Sequence, residues 1–393
     1  MSQAHAPPLL ILGGGLIGLA LAHELARRGQ AVRVLSRRRS EAAGFVAAGM
    51  LAPHAEGLSG ALLELGQASL ARVPAWVERI ESDSGMACGL RPSGIVVPFA
   101  TAAERDGFAT AALGQPLDRS GLEREIPGIG PAWRAGLLFA QDGQIDNRRR
   151  LMRALERACV ERGVGFEEGT EVRSLQTRGG RLAAVLVVGA DGQERELACS
   201  RAVLCCGAWS ARLLPQLPVF PVKGQMLSLQ APRGALGRVV FGPGTYLVPR
   251  EDGLVVVGAT SEPEAGFGEG LTPAGQRQLE CGLAALLPDA ALWPPMERWW
   301  GFRPCTPDGG PLLGPGPLQG LWVASGHHRN GVLLAAISAE LVAMSIAADG
   351  ASLARTNAPA AKLLDRFDWR RFAAGGAAAR EPAGVWGDAA CLT

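Results

Sequence analysis

Apolar and polar positions alternate in blocks over the first 36 residues, and the blocks predict a strand, a helix and a second strand. Residues 9–12 are all apolar, residues 16–28 carry apolar side chains at helical spacing up to Gly29, and residues 31–35 place Val32 and Val34 on one face. A strand, helix and strand in this order are typical of a parallel, doubly wound sheet. The chain therefore begins with a predicted βαβ unit.

The middle of the chain contains both helical and strand patterns of apolar residues. Residues 147–164 have the pattern of an amphipathic helix with Leu151, Leu155 and Ala158 on its apolar face. Further predicted strands are 93–100, 135–146, 171–176, 181–197 around an Asp-Gly turn, 200–210, and a strand-rich block over 218–257. Strand-rich blocks between βα pieces indicate a second domain inserted into the first.

The fold class expected is α/β with mixed α+β character, a Rossmann-like doubly wound domain with an inserted antiparallel-sheet domain. We predict that the doubly wound domain comprises 1–83, 145–217 and 301–365, and the inserted domain 84–144 and 218–300. Near the end, 321–326 is a predicted strand, 327–331 a turn and 332–350 a long apolar helix. The Ala/Gly-rich tail, 366–393, is expected to be loose.

Composition excludes several classes of partner. The 393 residues carry a net charge of +2, so no large field favours nucleic acid, and the partner expected is a small molecule. The eight cysteines show no CxxC spacing, as expected for reduced thiols of a cytoplasmic protein. The apolar run 9–21 lacks a basic leader and is interrupted by glycines, and no other segment approaches the roughly 20 apolar residues of a membrane span.

The segment GGGLIG, residues 13–18, contains GxGxxG between the first strand and the helix. Gly13 permits a tight turn, Gly15 lets a pyrophosphate approach the backbone, and Gly18 lets helix and strand pack closely. The helix N-terminus faces the phosphates. Dinucleotide binding is favoured over a merely structural turn because of this placement.

The second strand ends at Ser36 and is followed by three arginines, where a carboxylate usually holds the ribose. The cluster Arg37–Arg39 could clamp the 2′-phosphate of NADP, or it could be a solvated basic turn. Ser36 can still hydrogen-bond a ribose hydroxyl. These residues alone leave both interpretations open.

Two side chains are candidates for binding a substrate carboxylate. Tyr246, the only tyrosine, could donate a hydrogen bond, although buried tyrosines more often serve packing. Arg303 follows Trp299, Trp300 and Phe302, and a planar guanidinium with apolar walls pairs strongly with a carboxylate. The alternative for Arg303 is a stacking or surface arginine. Cys305 is most simply a small buried thiol.

The segment GHHRNG, residues 326–331, joins a predicted strand to the long apolar helix. Adjacent histidines point apart and no further ligand cluster accompanies His327 and His328, so no metal site is expected. The helix starting near Gly331 instead places backbone N–H groups and a positive helix end where they can stabilise an anion.

Taken together, seven ordered motifs resemble the D-amino acid oxidase superfamily of FAD enzymes, and within it the glycine oxidases of thiamine biosynthesis. The motifs are GGGLIGLALAHELARRG, AAGMLAPHAE, LCCGAWS, PVKGQML, YLVPREDGLVVVGAT, GFRPCTPDGGPLLG and GHHRNGVLLA. The resemblance implies non-covalently bound FAD, and NADP becomes a minor alternative. Ser36 departs from the acid common in glycine oxidases at the end of the second strand.

The resemblance also implies roles for single residues. The positions expected at the cofactor are Gly13, Gly15, Leu16, Ile17 and Gly18 at the pyrophosphate, Ser36 and Arg37 at the ribose, Ala43 and Gly44 beside the phosphates, Ala48, Gly49 and Met50 along the flavin, Val172 at the adenine, and His327, His328, Arg329, Asn330, Gly331, Val332 and Leu333 around the pyrimidine edge. Arg303 would bind the substrate carboxylate with help from Tyr246 and Arg329. Ser261 stands where a relative has methionine, which leaves the side-chain pocket and the substrate size open. His328 is a second departure, because phenylalanine or tyrosine is common at that position.

The activity implied is oxidative deamination of glycine or another small amino acid by FAD and molecular oxygen, in a protein expected to be a homo-oligomer. No side-chain base is assigned, because the motifs offer none that is evident. Rival hypotheses are a D-amino acid or sarcosine oxidase, a quinone-linked D-amino acid dehydrogenase, an NADP-dependent reductase, and a flavin-binding partner without turnover.

Overall fold

The structure of the protein is a computed structural model that describes residues 7–348, 353 and 355–373. Of the predicted loose tail, residues 374–393 lie outside the described residues. The remainder of that tail is folded, contrary to expectation, because Phe367 is buried and the Arg371 guanidinium pairs with Asp308. Apolar burial and this ion pair hold the segment against the body of the protein.

Twenty strands are present in the described part of the chain. They are β1 Leu9–Leu12, β2 Val32–Ser36, β3 Met50–Leu51, β4 Leu90–Arg91, β5 Ile95–Phe99, β6 Gln115–Leu117, β7 Ala135–Phe139, β8 Gly143–Ile145, β9 Gly165–Glu168, β10 Glu171–Arg178, β11 Arg181–Val188, β12 Glu194–Ala198, β13 Ala202–Leu204, β14 Phe220–Gln230, β15 Val239–Gly242, β16 Thr245–Pro249, β17 Leu254–Gly258, β18 Pro295–Cys305, β19 Leu312–Pro315 and β20 Leu321–Ser325.

Ten α-helices accompany them in the same described residues. They are α1 Leu16–Arg27, α2 Gly60–Leu70, α3 Val73–Ser84, α4 Ala102–Asp106, α5 Arg119–Glu125, α6 Met152–Glu161, α7 Ser210–Leu213, α8 Pro273–Leu286, α9 Gly331–Ala347 and α10 Ala358–Arg366. A π-helical turn over Asn147–Leu151 precedes α6.

A six-stranded sheet in the order β19-β20-β13-β1-β2-β9 forms the doubly wound part of the fold. Every neighbouring pair is parallel except β19 and β20. The predicted βαβ unit is confirmed, with helix and strand ends within one residue of expectation. Strand order reverses beside β1, which is where open α/β sheets bind ligands.

Helix α9 explains the long apolar run near the end of the sequence. Its buried side chains face every direction, as expected for a helix enclosed by other elements. It packs against α1 and α2 on one side and against β19 and β20 on the other. The main hydrophobic core of the doubly wound part lies around this helix.

An eight-stranded sheet in the order β18-β14-β17-β16-β15-β5-β7-β6 forms the second part. Only β15 and β5 pair in parallel; the other pairs are antiparallel. Its strands come from two separate stretches of chain, β5 to β7 and β14 to β18, as an inserted domain requires. The exact domain limits stay a prediction. None of the described helices combines the length and apolarity needed to cross a membrane.

Candidate functional site

A cavity of about 1220 Å³ lies between the two large sheets. Its walls include the segments that directly follow β1, β2, β13 and β20, whose carboxyl ends share one edge of the parallel sheet. The opposite wall comes from the inserted sheet, through Tyr246 on β16 and Arg303 on β18. The fold therefore brings the glycine loop and the candidate carboxylate-binding residues to one cavity.

The glycine loop has two kinds of position. Gly13 has φ +117°, and a Cβ there would lie 2.4 Å from the carbonyl oxygen of Cys205, so only glycine fits. Gly18 lies behind the cavity wall, where a Cβ would come within 1.9 Å of the Gly13 carbonyl oxygen. Gly13 and Gly15 face the cavity and Gly18 permits close packing of α1 on β1.

Two helices begin at this cavity without a capping side chain. Gly15, at the start of the 12-residue α1, has no side chain to cap the helix. The Asn330 side chain, at the start of the 17-residue α9, accepts no capping hydrogen bond as far as the described residues show. The first-turn N–H groups of both helices are thus available to an anionic or polar ligand. A long dinucleotide with phosphates at one helix start and a ring system at the other fits this donor set.

The three arginines after Ser36 each face a carboxylate. Arg37 pairs with Glu41, and Arg39 pairs at 2.8 Å with both Glu156 and Glu168. Arg38 lies 2.9 Å from the same Glu41. A 2′-phosphate would have to displace these carboxylates, which favours the structural interpretation of the basic cluster. Ser36 and Arg37 nevertheless line the cavity.

Arg303 reaches the cavity from β18 because its neighbours leave space for it. Its Nη1 donates to the carbonyl oxygen of Thr260 at 3.0 Å. On the paired strand β14, a Cβ at Gly224 would lie 2.4 Å from the same nitrogen. The absence of a side chain at Gly224 therefore sets the path of the guanidinium.

Tyr246 lies on β16 of the same sheet, two strands further from β18 than β14, and is under a comparable constraint. A Cβ at Gly258 would lie 2.5 Å from the phenol oxygen, and the hydroxyl contacts Met226 Sδ at 3.6 Å. Burial raises the pKa of Tyr246, while the positive charges of Arg303 and Arg329 oppose that shift. The phenol consequently stays protonated and can donate a hydrogen bond at neutral pH.

Sequence reasoning missed one acidic residue of the site. Glu56, within the motif AAGMLAPHAE, lines the same cavity, is 8% exposed and has Oε2 3.6 Å from Arg329 Nε. Burial raises the pKa of Glu56, and Arg329 and then Arg303 counteract that shift. The only sequence signal was its place in a motif, since the chain separates it widely from both arginines.

Buried polar side chains that sequence reasoning also missed donate hydrogen bonds to the backbone around the segment Ala48–Met50. Arg250 donates to the Ala48 carbonyl oxygen and to Gln144, and Asn147 donates to the Gly44 carbonyl oxygen. Burial lowers the pKa of Arg250 to about 10, so the guanidinium stays charged at neutral pH. The Arg250 contact thus fixes Ala48 in the segment expected along a flavin, and the Asn147 contact fixes Gly44 before it.

The turn before α9 is built by its two histidines. His327 is buried, its Nε2 lies 2.9 Å from Ser338 Oγ, and burial lowers its pKa to about 3, so it is neutral. His328 adopts φ +47° and its N–H donates to the Pro304 carbonyl oxygen at 2.8 Å. The turn thereby presents Arg329 and the start of α9 to the cavity.

Most of the predicted site residues meet at this cavity. Those that line it are Gly13, Gly15, Leu16, Ile17, Ser36, Arg37, Ala43, Gly44, Ala48, Gly49, Met50, Val172, Tyr246, Arg303, His327, His328, Arg329, Asn330, Gly331 and Val332. Gly18 and Leu333 are not among the lining residues. Leu333 is buried in the core, and its carbonyl oxygen accepts a hydrogen bond from Ser69.

Comparison with known proteins identifies the family of the chain. Residues 9–344 match the DAO family, described as FAD dependent oxidoreductase. The chain is 43% identical to the bifunctional protein ThiO/ThiG of Synechocystis sp. over 342 residues, 85% of this chain and 50% of that protein. It therefore spans about half the length of that relative. It is also 33% identical to the glycine oxidase of Pseudomonas aeruginosa, over 85% of this chain and 93% of that protein.

Solved structures give the same result for the fold. The crystal structure of glycine oxidase from Geobacillus kaustophilus matches with a TM-score of 0.80 and 31% identity, over 88% of this chain and 95% of that one. Because the family match covers most of the chain, and the cavity has the glycine loop and helix starts that such a cofactor requires, the protein belongs to the family of FAD dependent oxidoreductases.

Proposed function

We propose that the protein is an FAD-dependent oxidase that deaminates glycine or another small amino acid. The products would be an imine or the derived 2-oxo acid, ammonia and hydrogen peroxide. One observation carries the proposal: the Arg303 guanidinium and the Tyr246 phenol line the same cavity as the glycine loop and the start of α9. A carboxylate-binding pair beside a dinucleotide cavity is the arrangement that an amino acid oxidase needs.

The cofactor proposed is FAD, bound without a covalent bond. The residues that would hold it are the predicted positions lining the cavity, with Gly13 and Gly15 at the phosphates and the turn before α9 at the ring system. Cys305 is fully buried and does not line the cavity. Cys205 and Cys206 do line it, but burial raises the pKa of both thiols and so keeps them protonated and unreactive, which supports a non-covalent cofactor. When bound, FAD supplies the oxidising ring that accepts two electrons from the substrate.

The side chains of this chain would bind and orient the substrate. Arg303 holds the substrate carboxylate through paired N–H donors, and Tyr246 donates a further hydrogen bond. Fixing the carboxylate fixes the direction of the Cα–H bond, and such orientation supplies much of the rate acceleration. The N–H groups at the start of α9 stabilise negative charge that develops next to them.

The biological setting proposed is supply of an imine for the thiazole part of thiamine. This part rests on the name of the bifunctional ThiO/ThiG relatives and on the resemblance of the motifs. Action in the cytoplasm, use of oxygen as electron acceptor and assembly into a homo-oligomer belong to the same proposal.

The test is the visible spectrum of the purified protein before and after glycine is added without oxygen. We expect a flavin spectrum that glycine bleaches, and one hydrogen peroxide per glycine when air is admitted. A flavin that glycine does not bleach would overturn glycine as substrate, and a panel of D-amino acids and sarcosine would then identify the amine. Bleaching without peroxide under air would indicate a dehydrogenase instead.

Replacing Tyr246 by phenylalanine should weaken substrate binding moderately. The variant loses one hydrogen bond to the carboxylate but keeps the ring that stacks on Phe241. A hydrogen bond to a charged group contributes about 1.5–3 kcal/mol, so we expect KM for glycine to rise roughly 10- to 100-fold. Steady-state kinetics checks this, and an unchanged KM would remove Tyr246 from the binding site.

A further inference from the structure

Glu56 is a buried carboxylate at the proposed substrate end of the cavity, and the reaction described above gives it no role. Its Oε2 lies 3.6 Å from Arg329 Nε, and the charge of Arg303 also acts on it. The charges of Arg303, Arg329 and Glu56 all act on the Tyr246 phenol. All four side chains line the same cavity and act on one another through their charges.

The backbone that carries Glu56 is firmly held. Its N–H donates to the Ala52 carbonyl oxygen at 3.0 Å. The two residues that precede Glu56 are held by the buried carboxylate of Asp142. This carboxylate accepts a hydrogen bond from the Ala55 N–H at 2.8 Å and lies 2.5 Å from His54 Nδ1. Because hydrogen bonds already order this loop, its carboxylate can bind a ligand in a fixed direction without the entropic cost of ordering the loop.

The Glu56 carboxylate accepts no hydrogen bond from another side chain or backbone N–H among the described residues, so its oxygens remain available to a ligand in the cavity. Arg329 Nε lies 3.6 Å from Glu56 Oε2, beyond hydrogen-bond distance. If the Arg303 guanidinium pairs with the substrate carboxylate, the substrate amino group can therefore donate to Glu56. The other carboxylates that line the cavity either lie within 3.2 Å of a basic side chain or are exposed: Glu41, Glu171, Asp308 and Glu264. Glu56 is buried, and its charge acts on the Tyr246 phenol together with that of Arg303.

We propose that Glu56 binds the amino group of the substrate, and so makes the site specific for α-amino acids over α-hydroxy acids. The inference rests on the proposed function and deepens it by naming the second anchor of the substrate. A carboxylate accepts a charge-assisted hydrogen bond from an ammonium or amine N–H, whereas the hydroxyl of a hydroxy acid offers a neutral donor. Two anchors of opposite charge fix both ends of a small amino acid.

The pH dependence expected follows from the same geometry. The groups that act on Glu56 are Arg329, Arg303 and Asp142, with Tyr246 close by. Burial raises the pKa of Glu56, so the binding carboxylate becomes protonated at a higher pH than an exposed glutamate. In the wild-type enzyme kcat/KM for glycine should fall as the pH drops through that raised pKa. The Glu56→Gln variant should lack this acid limb.

The experiment compares Glu56→Gln and Glu56→Asp with the wild-type holoenzyme, using glycine and glycolate as matched probes. Glycolate keeps the carboxylate but replaces the amine by a hydroxyl. In Glu56→Gln we expect the glycine concentration for half-maximal anaerobic bleaching to rise roughly 10- to 100-fold. The glycolate concentration that perturbs the flavin spectrum should change less than about threefold, and Glu56→Asp should recover part of the glycine binding.

Glu280→Gln serves as the matched control, because this glutamate is half-exposed on α8 and pairs with Arg298 outside the cavity. Equal losses for glycine and glycolate in Glu56→Gln would mean a structural role and overturn the proposal, as would no loss for either. Failure of glycine to bleach the wild-type flavin would instead overturn the proposed function itself. The two failures are therefore distinguishable in one set of titrations.

Discussion

Arg303→Ala is expected to lower kcat/KM for glycine by a factor between roughly 30 and several thousand. The guanidinium lies in a cavity with aromatic and apolar walls, where its pairing with a carboxylate is weakly screened. Removing one partner of such a pair costs about 2–5 kcal/mol, and each 1.36 kcal/mol corresponds to a factor of ten. Steady-state kinetics with glycine, together with flavin content, measures the loss.

The strand that carries Arg303 also offers a control. Arg298 lies on the same β18, is substantially exposed and pairs with Glu280 on the protein surface. Arg298→Ala should leave kcat/KM within about a factor of two, because exposed ion pairs contribute little. Arg303→Lys tests geometry separately, since lysine keeps the charge but loses the planar fork. Full activity of Arg303→Ala would show that another group holds the substrate carboxylate.

Gly18→Ala should give a protein that folds poorly and retains little flavin. The new Cβ would lie 1.9 Å from the Gly13 carbonyl oxygen, so α1 would have to move away from β1. Backbone overlaps of this kind belong to the small class of substitutions that cost more than about 4 kcal/mol. Thermal unfolding and flavin absorbance per protein would show the loss together.

Substitutions at two further glycines distinguish an effect on folding from an effect on cofactor binding. A Cβ at Gly15 would meet only the side chain of Ala42, at 3.3 Å, and Gly15 faces the cavity. Gly15→Ala should therefore fold but bind FAD more weakly, because the methyl group keeps the phosphates from the backbone. Gly237→Ala, with open space around the added methyl, should behave as the wild type. A stable, flavin-replete Gly18→Ala protein would refute the packing argument.

The βαβ unit and the long helix α9 could be predicted because their signals are local. Apolar spacing along β1, α1 and α9 follows directly from which faces are buried, and the glycine loop has a fixed spacing because the turn needs it. The two stretches of the inserted sheet could also be recognised as strand-rich. Their pairing, in which β15 lies parallel to β5, is not encoded in any local pattern.

The site could be predicted only in part, and Glu56 and the basic cluster show why. Arg37–Arg39 supported two interpretations in the sequence, and the carboxylates that favour the structural one, Glu156 and Glu168, come from α6 and β9. Glu56 is 273 positions before Arg329, and the fold alone brings them to 3.6 Å. By itself the sequence determined the local elements, the glycine loop and the family-like motifs, because these depend on neighbours in the chain. Only the tertiary structure decided which charges face each other, because those distances depend on how the two sheets pack.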